Sequence, residues 1–154
     1  MNQYKAKHFN AFFPAIIDSV KKAHPQINSI TVLGFCFGGS LALYSGIFNQ
    51  VSRIISFYPG QVITPEFDGN QTITSLLAQS RSTKLTVHIL FAKHDSLISG
   101  DDRIRIIQSL SANPQIHAYH YLFEAGHAFM NNHRNTFNES AAREAWGLLD
   151  AQLY

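Results

Sequence analysis

The residues best suited to chemistry lie in a glycine-rich turn around the chain's single cysteine. The segment Gly34-Phe35-Cys36-Phe37-Gly38-Gly39 directly follows a short apolar run that starts at Ile30. We expect Gly34 and Gly38 to permit a strained turn in which a strand and a helix approach closely. The dipole of that helix would stabilise a thiolate, and the backbone N–H of Phe37 would stabilise an oxyanion. The pattern therefore predicts a nucleophilic Cys36.

Two later segments supply the groups that such a nucleophile needs. Asp95 follows the apolar run Leu85–Phe91, and His127 follows Gly126 after the run Ile116–Phe123. A thiol needs a base to become a thiolate, and a histidine needs a carboxylate to fix its tautomer. In parallel sheets such groups gather beyond the carboxyl ends of the strands. The sequence therefore predicts a triad of Cys36, Asp95 and His127.

Other interpretations of the same residues stay open. A lone cysteine is often a small buried hydrophobe, and a glycine-rich turn can cradle phosphate, although no Gly-Lys-Ser/Thr follows here. Asp95 could be a solvated loop carboxylate or a helix cap. His133 lies close enough to His127 to be a rival base. Metal binding by His94, Asp95 and His127 has no support from an i, i+4 histidine pair or a Cys-x-x-Cys motif, so no metal is predicted.

The remaining histidines have less prominent positions in the pattern. His88, His117 and His120 fall within predicted strands, where we expect packed or surface side chains. His8 and His24 fall on a helix surface or in a loop. These five therefore carry no predicted chemistry.

Composition limits the classes of partner. The chain has 154 residues, 45% of them hydrophobic, which suits one domain over residues 1–154. The net charge is +2 with 14% charged residues and no run of Lys or Arg, which argues against nucleic-acid or membrane partners. No apolar run reaches bilayer length, and the start of the chain lacks the apolar core of a signal peptide. With one cysteine and hence no internal disulfide, we expect a reducing, cytoplasmic location.

The elements that position these residues alternate along the chain. Strands are predicted over Ser29–Gly34, Val51–Tyr58, Leu85–Phe91 and Ile116–Phe123. Helices are predicted over 8–23, over 40–48, from Asp101 or Asp102 to Asn113, and after the capping-box spacing of Thr136 and Glu139. The connection Pro59–Thr83 contains one short helix near 72–79. This order indicates an α/β fold with a mainly parallel sheet covered on both faces.

Helical spacing also predicts which side chains face the core. In the first helix, Pro14 should introduce a kink or mark the first turn. Each helix should have one apolar face. These faces comprise Phe9, Phe12, Phe13, Ile16, Ile17 and Val20 in the first helix, Ile104, Ile107 and Leu110 in the third long helix, and Ala141, Ala145, Trp146, Leu149 and Leu153 in the last.

The turn around Cys36, together with Asp95, the segment Gly126-His127-Ala128-Phe129 and the stretch that runs on to Trp146, resembles the dienelactone hydrolase family of the α/β-hydrolase fold. The resemblance implies hydrolysis of a small carboxylic ester or lactone. Cys36 would attack the carbonyl carbon to give a thioester, His127 would shuttle the proton, and Asp95 would orient His127. No cofactor is implied.

The resemblance also suggests how a substrate is held. Arg134, shortly after the histidine, would meet a substrate carboxylate, as basic residues do in parts of the family, or would be an exposed loop arginine. Phe35, Phe37, Tyr58, Phe129 and Met130 would line an apolar pocket or belong to the core.

Relative to the family, the chain begins at the helix before the nucleophile strand. The strands that normally supply a second oxyanion N–H and a glutamate beside the resting thiol are therefore not represented. We expect the nucleophile strand to be the open edge of a four-stranded sheet, and an exposed apolar edge tends to pair. A homodimer covering this edge and the helix face near Phe9, Phe12 and Phe13 is predicted. The alternatives are a catalytically impaired module that acts in binding or assembly, and a redox-sensing thiol.

Overall fold

The computed structural model describes residues 2–65, 71–80 and 83–153, in which helices and strands alternate. All four predicted strands are present, and the short helix predicted near 72–79 is found at Ile73–Ser80. Positions 66–70, 81 and 82 of the predicted long connection lie outside the described residues. The elements are α1 (Asn2–Ala23), β1 (Thr31–Phe35), α2 (Phe37–Ser45), β2 (Arg53–Phe57), α3 (Ile73–Ser80), β3 (Leu85–His94), α4 (Gly100–Ser111), β4 (Ile116–Gly126) and α5 (Glu139–Leu153).

The four strands form one parallel sheet in the order β1-β2-β3-β4. The register aligns Phe35, Phe57, Leu90 and Tyr121 in one row across the sheet near the carboxyl ends of the first two strands. The turns that follow β1, β3 and β4 therefore emerge at the same end of the sheet, beyond the carboxyl ends of the strands. The predicted α/β class is confirmed, and β1 is an edge strand of the described sheet.

Helices cover both faces of the sheet, as adjacent residues of β2 demonstrate. The Ser56 hydroxyl donates to the Gly39 carbonyl of α2 over 3.0 Å, so that side chain points to the α2 face. The neighbouring Phe57 stacks on Phe35 at 4.5 Å between ring centroids, and Phe35 lies 6.5 Å from Trp146 of α5. Because side chains alternate along a strand, α2 and α5 lie on opposite faces.

The first helix departs from its prediction in where it begins and in which of its side chains it buries. It begins at Asn2 instead of residue 8, and Pro14 lies inside it and does not mark its first turn. Ile17 is buried, and Phe9 and Phe13 pack against the core, but the other row of predicted core residues is exposed: Phe12 by 64%, Ile16 by 57% and Val20 by 39%. The predicted residues form two i, i+4 rows about 60° apart on the helix, and only the row through Ile17 reaches the sheet layer.

The start of α4 was also predicted wrongly. Neither Asp101 nor Asp102 is the N-cap, because the helix begins at Gly100 and Ser99 precedes it. The Ser99 hydroxyl accepts the Asp102 N–H over 3.1 Å, and the Asp102 carboxylate accepts the Ser99 N–H over 3.3 Å. This reciprocal pair is a capping box, in which the acidic residue occupies the third helical position.

The core-facing side of α4 differs from the prediction at one residue. Leu110 is buried and Ile107 packs partly against the core, as predicted, whereas Ile104 is 54% exposed. Ile106 is the buried residue instead. It lies four positions before Leu110 and therefore shares its face, whereas Ile104 lies about 120° away from Leu110 around the helix.

The last helix is capped by Asn138, not by Thr136 as its capping-box spacing suggested. The Asn138 side-chain oxygen accepts the Ala141 N–H over 3.0 Å. Ala141, Ala145 and Leu149 are buried as predicted, but Trp146 is 51% exposed. The side chain of residue 153 lies outside the described residues.

Candidate active site

The turn that carries Cys36 joins β1 directly to α2. Cys36 has φ 52° and ψ −120°, which is a left-handed conformation that a non-glycine residue seldom adopts. Its backbone N–H donates to the Phe57 carbonyl over 3.0 Å, which ties the turn to the end of β2. Such strain persists only where the surroundings impose it, and it is typical of active-site turns.

The structure confirms the predicted role of Gly34 but not that of Gly38. A Cβ on Gly34 would lie 2.0 Å from the Gly38 carbonyl oxygen, and one on Gly39 would lie 2.8 Å from the Phe57 carbonyl oxygen. A Cβ on Gly38 would meet nothing within 4 Å. The close approach of strand and helix therefore requires Gly34 and Gly39, and the prediction for Gly38 was wrong. Gly38 itself lies on the first turn of α2, where its missing side chain would project into open space.

The structure brings together the side chains of Cys36, Asp95 and His127. His127 Nε2 lies 3.2 Å from Cys36 Sγ, and His127 Nδ1 lies 2.8 Å from Asp95 Oδ2 and 3.0 Å from Oδ1. The Asp95 side chain is fully buried and the His127 side chain is 13% exposed. A carboxylate that accepts the Nδ1 proton leaves Nε2 to exchange a proton with the thiol. The arrangement can generate a thiolate beside an imidazolium.

Asp95 is held by the backbone that follows it. Its Oδ1 accepts the N–H of Leu97 over 2.8 Å and that of Ile98 over 3.2 Å. Arg103, which the sequence did not single out, donates from Nη1 to the carbonyls of Ala92 over 3.3 Å and Ile98 over 3.2 Å. The guanidinium thereby fastens the loop that carries Asp95 to the end of β3. No sequence pattern indicates that Arg103 fastens this loop, because it is a polar residue at the fourth position of a helix.

The loop that carries His127 is also fixed by polar contacts. The Thr136 hydroxyl donates to the His127 carbonyl over 2.5 Å, and Ala128 has φ 64°. Thr136 thus closes a turn over 127–136 instead of capping α5. Since a side chain at position 126 would approach Thr136 within 3.1 Å, glycine suits the residue before the histidine.

A cleft of about 940 Å³ opens in front of these residues. Of the predicted substrate-contacting residues, Phe35, Tyr58, Met130 and Arg134 line it. Phe129 does not: it is fully buried, with its ring 5.4 Å from that of Tyr58, so it supports the wall from behind. Phe37 does not line the cleft either, and it is 41% exposed and not part of the core. The other residues on the wall are Cys36, Leu97, His127, Ala128, Asn131, Asn132, His133, Asn135, Thr136 and Trp146.

Trp146 is a site residue that helical periodicity placed in the core. It lines the cleft, with its ring 6.5 Å from that of Phe35, and about half of the residue is accessible. A tryptophan on a predicted buried face fills either a core or a cleft, and periodicity alone does not separate the two. The distinction depends on where the tryptophan lies relative to the ends of the strands.

The remaining predicted groups have clear positions. Phe37 is the first residue of α2, so its N–H lies at the positive end of the helix dipole next to Cys36. His133 is exposed on the cleft wall, and the contact to Cys36 is made by His127. His94 instead pairs with Glu124, and hydrogen bonds from Lys93 and His94 lower the pKa of that carboxyl.

Tyr58 lines the cleft, is buried and can titrate, but it does not belong to the group of Cys36, Asp95 and His127. Burial raises its pKa to about 12, and the negative charge of Cys36 adds to the effect. The phenol therefore stays neutral at working pH.

No group of three or more His, Cys, Asp or Glu side chains in the described part of the chain is placed to hold a metal ion. None of the described helices combines the length and the apolar character needed to cross a membrane.

The chain is similar to several longer proteins. Protein usf of Aquifex pyrophilus is 26% identical over 143 residues, which cover 90% of this chain and 57% of that protein. A Klebsiella pneumoniae structure assigned as a dienelactone hydrolase superposes with a TM-score of 0.65 at 24% identity, over 79% of this chain and 50% of that one. An esterase from Pyrococcus furiosus superposes with a TM-score of 0.63 at 14% identity, over 89% and 59%.

The structural likenesses show the α/β-hydrolase fold. The chain spans 50 to 59% of the length of these three proteins. The model of one protein family matches residues 1–150, and that match covers the turn around Cys36, Asp95 and His127. The chain therefore belongs to the dienelactone hydrolase family.

Proposed function

We propose that this chain hydrolyses a small carboxylic ester or lactone through a Cys36–His127–Asp95 triad. The observation that carries the proposal is the continuous line of contacts from Cys36 Sγ to His127 Nε2 at 3.2 Å and from His127 Nδ1 to Asp95 Oδ2 at 2.8 Å. The line ends at a thiol that faces an open cleft. Membership of the dienelactone hydrolase family supports the same chemistry.

The proposed reaction has two halves. The Cys36 thiolate attacks the carbonyl carbon, and the C=O electron pair moves onto oxygen, where the Phe37 N–H would stabilise it. The C–O bond then breaks, and the leaving alkoxide takes a proton from the His127 imidazolium to leave a thioester. Water attacks the thioester while His127 takes its proton, and the thiolate leaves with a carboxylic acid as product. In a lactone the alcohol stays attached to the acyl chain.

The proposal is tested by hydrolysis of a panel of activated esters and lactones by wild type and Cys36→Ala. We expect wild type to exceed Cys36→Ala by at least about a hundredfold, since removal of a nucleophile leaves little beyond binding and oxyanion stabilisation. Equal rates in the two proteins would overturn the hydrolase proposal and favour the impaired-module alternative. Mass spectrometry of the intact protein after a stoichiometric activated ester should show the acyl group on Cys36.

We further propose that Arg134 selects substrates that carry a carboxylate. It lines the cleft together with His133 and several asparagines, and no acidic residue is among the described residues of that wall. A guanidinium can pair with a carboxylate in a bidentate way. Arg134→Ala should raise KM several-fold for an ester with a free carboxylate and leave KM for the matched methyl-capped ester unchanged. An equal effect on both substrates would contradict this role.

A working thiolate also sets conditions on the compartment. Cys36 is a free cysteine that opens onto the cleft, and a cysteine of this kind is lost to oxidation outside a reducing environment. The proposed activity is therefore assigned to the cytoplasm. Recovery of Cys36 in its reduced form from cells, assayed by trapping free thiols with an alkylating agent during lysis, would agree. Recovery mainly as a disulfide or sulfinic acid would contradict the assignment.

The open edge of β1 supports a homodimer. The N–H of Cys36 and the carbonyl of Ile30 bond to β2, so alternation directs the backbone groups of Thr31, Leu33 and Phe35 away from the described sheet. A two-fold axis at Leu33 would pair these three residues antiparallel with their copies. The edge carries no charged residue, and Leu33 is 39% exposed. We propose that a second copy covers it, next to the exposed row of α1.

Light scattering at micromolar concentration tests the dimer. Wild type should have the mass of two chains, and Leu33→Lys should have the mass of one. Leu122→Lys is the matched control, because Leu122 is 55% exposed on β4, the opposite edge strand. A monomeric wild type, or a Leu33→Lys protein that remains dimeric, would contradict the proposal.

A further inference from the structure

Tyr58 occupies an unusual position between the strand ends that carry the triad. It follows β2, and its backbone N–H donates to the Leu90 carbonyl over 2.8 Å. Its φ of 36° is positive, as are those of Cys36 and Ala128, so three of the four such non-glycine residues in the described chain lie at the site. Backbone strain of this kind costs about 1–3 kcal/mol each and clusters where geometry is functionally imposed.

The ring of Tyr58 packs against the loop that carries His127. Its centroid lies 5.1 Å from that of the imidazole, edge to face at 62°, and 5.4 Å from that of Phe129 at 67°. The side chain is almost fully buried. The nearby backbone N–H of Met130 lowers the pKa of the phenol, against the effect of burial. Tyr58 thus contacts the first, third and fourth residues of the segment 127–130.

Tyr58 lies in the gap between the strands from which Cys36 and His127 emerge. Cys36 follows β1 and His127 follows β4, so two strands, β2 and β3, separate their origins. With strands about 4.8 Å apart, the loop from β4 must reach across about 14 Å. Asp95 holds the imidazole from the β3 side, and Thr136 holds the loop from within. Tyr58 meets the loop from the side of β2, the strand next to the nucleophile.

We propose that Tyr58 is a positioning residue whose hydroxyl and ring hold the 127–130 loop so that His127 Nε2 meets Cys36 Sγ. The inference rests on the proposed triad. Tyr58 itself transfers no proton, since its phenol stays neutral, and it adds no charge beside the thiolate. Its role is to keep the imidazole and the thiol within 3.2 Å of each other.

The decisive variant is Tyr58→Phe, which keeps the ring and removes only the contact to Met130. Tyr121→Phe is the matched control, because it removes a part-buried phenol whose oxygen bonds to His88 Nδ1 over 3.1 Å, away from the triad. The readout is the rate at which iodoacetamide alkylates Cys36 between pH 6 and 10. This measurement needs no hydrolysis, so it decides the inference whatever the ester panel shows.

We expect alkylation of Tyr58→Phe to be about 3–10-fold slower than wild type at pH 7, the factor that corresponds to one hydrogen bond. The two proteins should converge near pH 10, where the thiol ionises without the imidazole. In ester hydrolysis kcat should fall by a similar factor with KM unchanged. Tyr121→Phe should match wild type in both assays.

Two outcomes would overturn the inference. An unchanged alkylation profile would mean that the hydroxyl does not hold the loop. A uniform slowing at every pH would mean that Tyr58 controls only access to the thiol. Tyr58→Leu, which also removes the ring, should show a larger loss at pH 7 than Tyr58→Phe, and thermal melting by circular dichroism establishes that each variant is folded. If Tyr58→Leu does not fold, Tyr58→Phe alone decides.

Discussion

Alanine at Gly34 and at Gly38 should have opposite effects on stability, although the two glycines belong to the same turn. A Cβ at Gly34 would lie 2.0 Å from the carbonyl oxygen of Gly38, 2.3 Å from its carbonyl carbon and 2.8 Å from the Gly39 nitrogen. All three atoms are backbone, so no side chain can rotate away. A Cβ at Gly38 would meet nothing within 4 Å.

The magnitudes follow from these contacts. Relief at position 34 requires strand and helix to separate by about 1 Å at their closest point, which should cost about 3 kcal/mol or more of unfolding free energy. At position 38 alanine gains helix propensity on the first turn of α2, worth about 0.5–1 kcal/mol. The difference between the two variants should therefore be about 4 kcal/mol.

Urea unfolding monitored by circular dichroism measures both values. Gly34→Ala should lower the midpoint strongly or prevent folding, and Gly38→Ala should leave it equal or higher at an unchanged slope. Comparable destabilisation by the two substitutions, or a loss below about 1 kcal/mol for Gly34→Ala, would refute the steric account of the turn.

Three further predictions concern other elements. Asp95→Asn should lower kcat for ester hydrolysis by on the order of a thousandfold or more with KM little changed, whereas Asp101→Asn on the exposed start of α4 should not. Burial and the nearby Arg53 lower the pKa of His88, so its unfolded form takes up a proton near pH 6.5 and its folded form only at lower pH. Stability should therefore fall as pH drops from 7.5 to 5, and His88→Leu should flatten that loss in urea unfolding at the two pH values. Ser99→Ala should cost about 1 kcal/mol in the same assay through loss of the α4 cap, with the exposed Ser111→Ala neutral; equal effects would contradict the capping role.

The order of strands and the positions of the triad residues could be predicted because their determinants are local. Apolar runs mark strands that are covered on both faces, and parallel strands place the residues that follow them at one edge. Cys36, Asp95 and His127 each come directly after such a run, and the structure brings their side chains together. The position of each of these residues relative to the end of a strand was enough to predict that their side chains meet.

The wrong predictions share a different cause. Tertiary packing decides which side chains contact one another, and the local sequence pattern does not show it. Phe12 and Ile104 have apolar side chains at helical spacing, yet each faces solvent because its helix turns another row toward the sheet. Phe129 lies behind the cleft wall because Tyr58 occupies the front. Thr136 had the spacing of a cap, but its hydroxyl donates to the carbonyl of His127, and Asn138 caps the helix instead.

Cys36 directly follows an edge strand, and this position separates two parts of the proposed chemistry. The described residues that we propose form and hold the thiolate, His127, Asp95 and Tyr58, all lie on the β2 side of the nucleophile. On that side the geometry is fixed by buried carboxylate and ring contacts. In the proposed reaction, the oxyanion would be stabilised by the Phe37 N–H and by a group that adjoins the exposed edge of β1. Alkylation of Cys36, which forms no oxyanion, should therefore depend on the triad contacts alone, whereas ester hydrolysis should depend on both sides. If Leu33→Lys slows ester hydrolysis and leaves alkylation unchanged, the open edge contributes to the oxyanion; if it slows both equally, the two parts are not separable.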